Sequence, residues 1–228
     1  MKKIMMIAAM MVATLSANAQ NEVGQFSLKP TVGLNIANIT KFANSKVRPG
    51  LNIGLEGEYG VTEKFGVTAG FFYSQQGVKI NNIELGLDWF DDNTDELVGG
   101  WAYEGKATYK LDYINIPIMA QYYLIPGLAV KAGIQPGFNA LKKIGLDGTL
   151  YQGGVLGQNM RSVDESYKIG KNDGIKSFQF AIPVGLSYEY KNFVLDARYN
   201  IYLTKAFKEG DGRHSVFSIT LGYKIPLN

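Results

Sequence analysis

The chain has 228 residues, a formal net charge of +3, and 46% hydrophobic residues without a single cysteine. That rules out a disulfide framework, a thiolate metal site and a lipid-modified N-terminal cysteine. The near-balanced charge supplies no basic field of the kind nucleic acid requires, so no nucleic-acid partner is expected.

Residues 1–19 read as a removable signal peptide. Lys2 and Lys3 form a basic start, Ile4 to Leu15 is a short apolar run, and Ala17-Asn18-Ala19 supplies small residues for cleavage. Without Lys2 and Lys3, 21 bases face 20 acids. Residues 20–228 are read as one domain. No later run reaches the roughly 20 apolar residues of a membrane helix. A membrane location would therefore require strands closed into a barrel.

The rest of the chain alternates with a period of two, the pattern of strands. The first segment, Phe26 to Ile36, sets Phe26, Leu28, Val32, Leu34 and Ile36 against Ser27, Lys29, Thr31 and Asn35. Leu51 to Tyr59 and Gly66 to Ser74 follow, joined by the short turn Gly60 to Lys64. The fourth segment, Ala107 to Leu124, has apolar Tyr109, Leu111 and Tyr113 and then Ile114, Ile116 and Ile118. That change of parity predicts a β-bulge near Tyr113. Val130 to Phe138, Phe178 to Glu189, Leu195 to Leu203 and Phe217 to Lys224 complete the set.

Connections alternate long and short. Asn38–Pro49, Gly77–Lys106, Ala140–Lys176 and Thr204–His214 are long; the turns at Gly60–Lys64, Pro126-Gly127 and Tyr190-Lys191-Asn192 are tight. The expected fold is all-β: an eight-stranded antiparallel up-and-down transmembrane β-barrel with long extracellular loops and short periplasmic turns. Both termini are then periplasmic, and the last strand pairs with the first to remove both edges. A hairpin within Ala140–Lys176 would raise the count to ten.

No apolar-face position carries a charge, as a lipid-facing surface demands. The opposite face is rich in glycine, which suits the crowded inside of a small barrel. It also carries the bases Lys29, Lys110, Lys131, Arg198 and Lys224 and the acids Glu56, Glu58, Asp112, Glu189 and Asp196. Five of each predict a self-pairing, filled lumen, because buried charges must be paired. Tyr59, Phe65, Tyr122, Tyr123, Tyr188, Tyr190, Phe193 and Tyr223 cluster beside the tight turns as an aromatic girdle.

Several stretches resemble a known family. They are Ala17-Asn18-Ala19-Gln20, Leu111-Asp112-Tyr113-Ile114-Asn115-Ile116-Pro117, Leu195-Asp196-Ala197-Arg198-Tyr199-Asn200 and Leu221-Gly222-Tyr223-Lys224. The chain resembles the small outer-membrane β-barrels of Bacteroidota, PorT-like proteins with an outer membrane protein beta-barrel domain. The resemblance implies an outer-membrane location and a shape similar to OmpX and the OmpA membrane domain. It carries no catalytic residues. The final Phe217-x-Ile219-x-Leu221-x-Tyr223 run resembles the signal read by the barrel-assembly machinery, though the chain ends Ile225-Pro226-Leu227-Asn228 rather than on an aromatic residue.

Few residues suggest chemistry. The one histidine, His214, adjoins Ser215. Neighbours on a strand point to opposite faces, so the pair is poorly placed for an activated nucleophile, and His214 reads as a solvated loop residue. The acidic stretch Asp91, Asp92, Asp95 and Glu96, bracketed by Trp89 and Trp101, reads as a solvated loop with its aromatics packed within it, or alternatively as a contact surface for a sugar or protein partner. Asp91, Asn93 and Asp95 match the start of a calcium loop, but Glu96 replaces its glycine and Ala102 its bidentate Glu, so no metal is expected. No cofactor motif appears. The expected function is non-enzymatic: a structural or surface-interaction barrel, in contact with outer-membrane lipid and lipopolysaccharide. A small solute pore and a lipid-acting enzyme are the alternatives.

Overall fold

The computed structural model describes residues 23–41, 44–90, 97–154, 157–168 and 174–227. The signal segment lies outside them. The strands are β1 (Phe26–Ile39), β2 (Ser45–Lys46), β3 (Arg48–Gly60), β4 (Phe65–Phe90), β5 (Leu97–Asn115) and β6 (Ile118–Ile125). They continue as β7 (Leu128–Gly154), β8 (Gly157–Lys168), β9 (Phe178–Tyr190), β10 (Phe193–Tyr202), β11 (His214–Tyr223) and β12 (Ile225–Leu227).

Eight walls close a ring: β1, β3, β4, the broken pair β5 and β6, β7, β9, β10, and β11 continued by β12. All neighbours are antiparallel. The ring closes where β11 meets β1, from Thr31 opposite Gly222 to Ile39 opposite His214. Proline explains both interruptions, since it has no N–H to give a ladder. Pro117 separates β5 from β6, and Ile116 N–H turns to the Pro136 carbonyl at 2.9 Å. Beside Pro30 the β1–β11 ladder lapses and resumes at Leu28 opposite Ile225.

The two ends of the barrel differ. At one end two-residue turns suffice. Pro126 and Gly127 (φ 80°) join β6 to β7, and Lys191 (φ 55°) and Asn192 join β9 to β10. At the other end the strands overrun the ring. Crossing a membrane takes about 9–11 residues, the 10-residue length of β10 and of β11. β4 has 26 residues and β7 has 27. The excess of β4, β5 and β7, with β8 added to the free side of β7, makes a projecting sheet.

This corrects the expectation of loops at Gly77–Lys106 and Ala140–Lys176. Both are largely strand, because their polar residues still pair backbone to backbone across a hairpin. The second does hold an extra hairpin, but β8 pairs only with β7, so the ring stays at eight.

The parity change in the fourth segment also has a different cause. Leu111 and Tyr113 are not on the outer wall; they are buried inside the mouth, in phase with Asn115. The apolar residues change sides there because the environment inside the barrel changes. A register shift does occur at Asp112/Tyr113, but the extra residue is Ala140 on β7.

The outer wall is apolar throughout the ring. Leu34, Phe71, Phe138, Leu186, Leu195 and Leu221 are exposed, with Phe71 at 65%. Such a continuous surface needs a partner phase rather than water. Tyr59, Tyr122, Tyr190, Phe193 and Tyr223 stand outward beside the tight turns. Tyr123 does not join that girdle: it is buried, and its hydroxyl donates to Glu58 at 3.0 Å.

Candidate functional site

Inward positions of an eight-strand ring leave room only for side chains, and here the strands stack them in layers. Nearest the tight turns, Lys224 Nζ donates to Glu58 at 2.9 Å and Glu189 at 3.0 Å. Gln121 donates to the Tyr123 hydroxyl at 2.8 Å. One layer further in, Glu56 is fully buried among three cations. Arg198 Nη2 donates to it at 2.5 Å and Lys131 at 3.1 Å. Lys29 Nζ lies 2.7 Å away as a third ion-pair contact. Asp196 closes the group, accepting from Lys131 at 2.9 Å and from Arg198 Nε at 2.5 Å. Lys29 bridges the layers, 4.0 Å from Glu58.

Glycine makes this crowding feasible. A Cβ at Gly222 would stand 2.8 Å from Lys29 Cγ, and one at Gly185 would stand 3.0 Å from Arg198 Cγ. The Arg198 guanidinium also lies over the Phe72 ring, 5.5 Å from its centroid. The charges balance: Lys29, Lys131, Arg198 and Lys224 against Glu56, Glu58, Glu189 and Asp196.

Above the charges comes a neutral polar layer. Asn35 donates to Ser74 at 2.9 Å and accepts from Ser218 at 2.7 Å, and Gln179 donates to Asn115 at 3.0 Å. A cavity of about 20 Å³ lies here, bordered by Asn52, Asn115, Gln135 and Asn200, with room for about one water.

The mouth is closed by hydrocarbon. Ile39, Val78, Leu111, Tyr113, Ile175 and Ala206 form a buried cluster, with Ile80, Tyr109 and Phe207 against it. Residues 174–177 and 203–213 fold across the opening as a cap. Ile175 bridges Phe207, Lys176 N–H donates to the Ala206 carbonyl at 3.0 Å, and Lys142 Nζ donates to the Ile175 carbonyl at 2.9 Å.

His214 sits beneath this cap and is not the solvated residue expected. It is buried, its Nε2 is 3.4 Å from the Tyr113 hydroxyl, and the Tyr113 and Tyr202 rings pack on it. Ser215 faces the other way and pairs with the Tyr199 hydroxyl at 3.0 Å. The two adjacent residues are on opposite sides of the wall.

Eight of the ten sequence-selected charges therefore meet in the lumen, and two do not. Asp112 pairs in register with Gln75, on the outer side of the wall, where it accepts from Tyr73 at 2.5 Å. Arg48, which sequence reading passed over because it precedes the alternating run, is 3.5 Å from Asp112 and donates to the Gln76 carbonyl. Lys110 shares that outer face, opposite Lys143. Asp91, Asp92, Asp95 and Glu96 lie outside the described residues. Trp89 and Trp101 are placed by backbone register only, opposite Gly99 and Leu87. Among the described residues no cluster of His, Asp and Glu is arranged to hold a metal ion.

A closed ring, an apolar outer wall and a packed interior are what a membrane barrel needs. A family model described as "Outer membrane protein beta-barrel domain" matches residues 18–208. The chain belongs to that family. Outer membrane protein beta-barrels sit in the outer membrane, so the apolar wall faces lipid.

No curated protein matches the chain. Among solved structures it is similar to the attachment invasion locus protein Ail of Yersinia pestis, at 13% identity and a TM-score of 0.44, covering 90% of this chain and 100% of that one. It is also similar to Neisserial surface protein A, at 14% identity and a TM-score of 0.41, covering 88% and 97%. The N-terminal barrel domain of Pseudomonas aeruginosa OprF is similar at 11% identity and a TM-score of 0.30, covering 86% and 97%.

Proposed function

We propose that this protein is a non-conducting, non-enzymatic outer-membrane barrel that serves as a rigid mount for a surface-interaction sheet. Residues 1–19 direct export and are removed, and the tight turns and both termini face the periplasm. The closing run Phe217 to Tyr223 engages the barrel-assembly machinery during insertion. The projecting parts of β4, β5, β7 and β8 then stand outside the cell, where Trp89, Trp101 and the acidic stretch near them meet a partner.

One observation carries the reading. Glu56 is held at once by Arg198, Lys131 and Lys29, from three other strands, across the full width of the lumen. That contact belongs to a network of four acids and four bases, and a filling of that kind leaves no continuous path for ions. The cap closes the mouth a second time. An enzyme of the Ser–His type finds no support in His214 and Ser215, which the wall separates. Single-channel recording in a planar bilayer tests the proposal: no stable openings are expected, and reproducible openings at moderate voltage would sink it in favour of a solute pore.

A further inference from the structure

We propose that a stripe of lysines on the outer wall, Lys46, Lys79, Lys110 and Lys143, binds the phosphate groups of outer-leaflet lipids. The leaflet named here rests on the orientation proposed above; the phosphate chemistry does not.

The ladder builds the stripe. Lys46 of β2 stands directly opposite Lys79 of β4. Lys79 pairs with Thr108 and Lys110 with Gly77, so Lys79 and Lys110 are diagonal neighbours on adjacent strands. Lys110 stands directly opposite Lys143 of β7, and Lys168 of β8 occupies the next register position. Diagonal positions are about 7–8 Å apart, direct ones closer, and like charges directly opposite are destabilising. Several such pairs in a row persist where something anionic offsets them.

All four lysines lie on the outer face. Val78, Tyr109 and Leu111 point into the mouth cluster, which turns Lys79 and Lys110 outward. Lys142 points inward to the Ile175 carbonyl, which turns Lys143 outward. The outer positions between them, Gly77, Thr108 and Gly145, carry no charge. The acids nearby are few. Asp112 is occupied by Tyr73 and Arg48. Asp147 stands in register with Lys106 on one side and Asp164 on the other, two outer positions beyond Lys143. On the far rim the bases have an acid partner instead, Lys41 and Lys205 both lying against Asp211.

The height fits a headgroup. Lys110 is four residues above the lipid-facing Ile114 on β5. At about 3.3 Å per residue and a strand tilt near 40°, that is roughly 10 Å above it. A lysine stem can reach back into the polar band that borders the hydrocarbon.

The test uses the mature full-length barrel in phosphatidylcholine nanodiscs. One set carries phosphorylated lipid A and the other the same glycolipid after its phosphates are removed. Native mass spectrometry reads which lipid stays bound. Retention of the phosphorylated form alone is expected, weakening about fivefold for each of Lys79→Gln and Lys143→Gln. Lys79→Arg and the far-rim Lys41→Gln should leave it unchanged. Heat-modifiable mobility checks that each variant folds. Equal retention of both lipids, or retention unaffected in the variant lacking all four lysines, overturns the proposal. So does inorganic phosphate that displaces the glycolipid at millimolar level and itself remains bound. The orientation is read separately, by labelling Glu84→Cys on intact cells with a membrane-impermeant maleimide. Absence of label would remove the outer leaflet while leaving the nanodisc result to stand or fall by itself.

Discussion

Below the Arg198 level the lumen is filled by paired charge; above Tyr202 it is filled by hydrocarbon under a cap. The two halves solve one problem, excluding water from a narrow tube, by opposite chemistry. In the lower half the walls are strands only, so every inward side chain is fixed by the ladder. Charges can be placed there because partners come from facing strands, as Glu56 on β3 meets Arg198 on β10 and Lys131 on β7. In the upper half two chain segments return across the opening, and their contacts are local and adaptable. Hydrocarbon tolerates that looser geometry, whereas an ion pair does not. The difference predicts that loss of a single charge below acts all-or-none, and that single substitutions above act in proportion to volume.

The largest effect belongs to Glu56→Gln. It keeps the volume but leaves the eight-charge lumen network with one buried positive charge in excess. Removing one partner from a buried ionic group costs about 3–5 kcal/mol. The urea unfolding midpoint of the barrel in lipid vesicles should fall accordingly. Adding Lys131→Gln restores neutrality and should recover part of the loss, because contacting residues couple. A double variant that is simply the sum of its singles would mean that the cluster is not a unit.

The same contrast marks where the sequence was legible. Period-two alternation located every wall of the ring, and eight of the ten charges assigned to the lumen fell there, Lys110 and Asp112 being the exceptions. That succeeded because lipid outside and polar lumen inside give parity one meaning over the whole lower half. At Leu111 and Tyr113 the meaning inverts: the inside becomes apolar, so an inward leucine looks like a lipid-facing one. His214 misled for a related reason. Its neighbours Gly210 to Arg213 read as loop, and what buries it is distant in the chain, the rings of Tyr113 and Tyr202. The β4–β5 hairpin was hidden by its polarity, since strands projecting beyond the membrane have no buried face to announce them.

Leu111→Ala tests the upper half. It deletes a fully buried side chain at the centre of the cap cluster. Such truncations cost about 2–5 kcal/mol, and a site that can relax falls at the lower end. The midpoint should fall by less than in Glu56→Gln, and the bilayer should stay silent because the charged layers below still block the tube. Openings in this variant would show that the cap, rather than the charges, is the seal. Gly222→Ala should cost less again, about 1–3 kcal/mol for overpacking. Its new methyl meets Thr31 Cγ2 and Lys29 Cγ, both at 2.8 Å, and the Lys29 stem can shift only at the expense of its contact with Glu56.

The smallest effect is expected at the rim, where Asp211 lies against Lys205 at 2.7 Å and Lys41 at 3.6 Å. The hydrogen bond from Lys205 holds the Asp211 carboxyl below its usual range, with the charges of Lys205 and Lys41 adding to it. A depressed carboxyl contributes stability above its unfolded-state value, about 3.9, and loses it as pH falls through the folded one. Here the carboxyl is in open water, where screening removes most of the gain. Asp211→Asn should therefore leave the unfolding midpoint unchanged at pH 7, and wild type and variant should also coincide once pH has fallen below the depressed folded value and the carboxyl is protonated. A fall at pH 7 as large as that of Gly222→Ala, lost on that protonation, would mean that this ion pair tethers the 203–213 segment. The cap would then depend on the rim charges rather than on the buried contacts of Ile175 and Ala206.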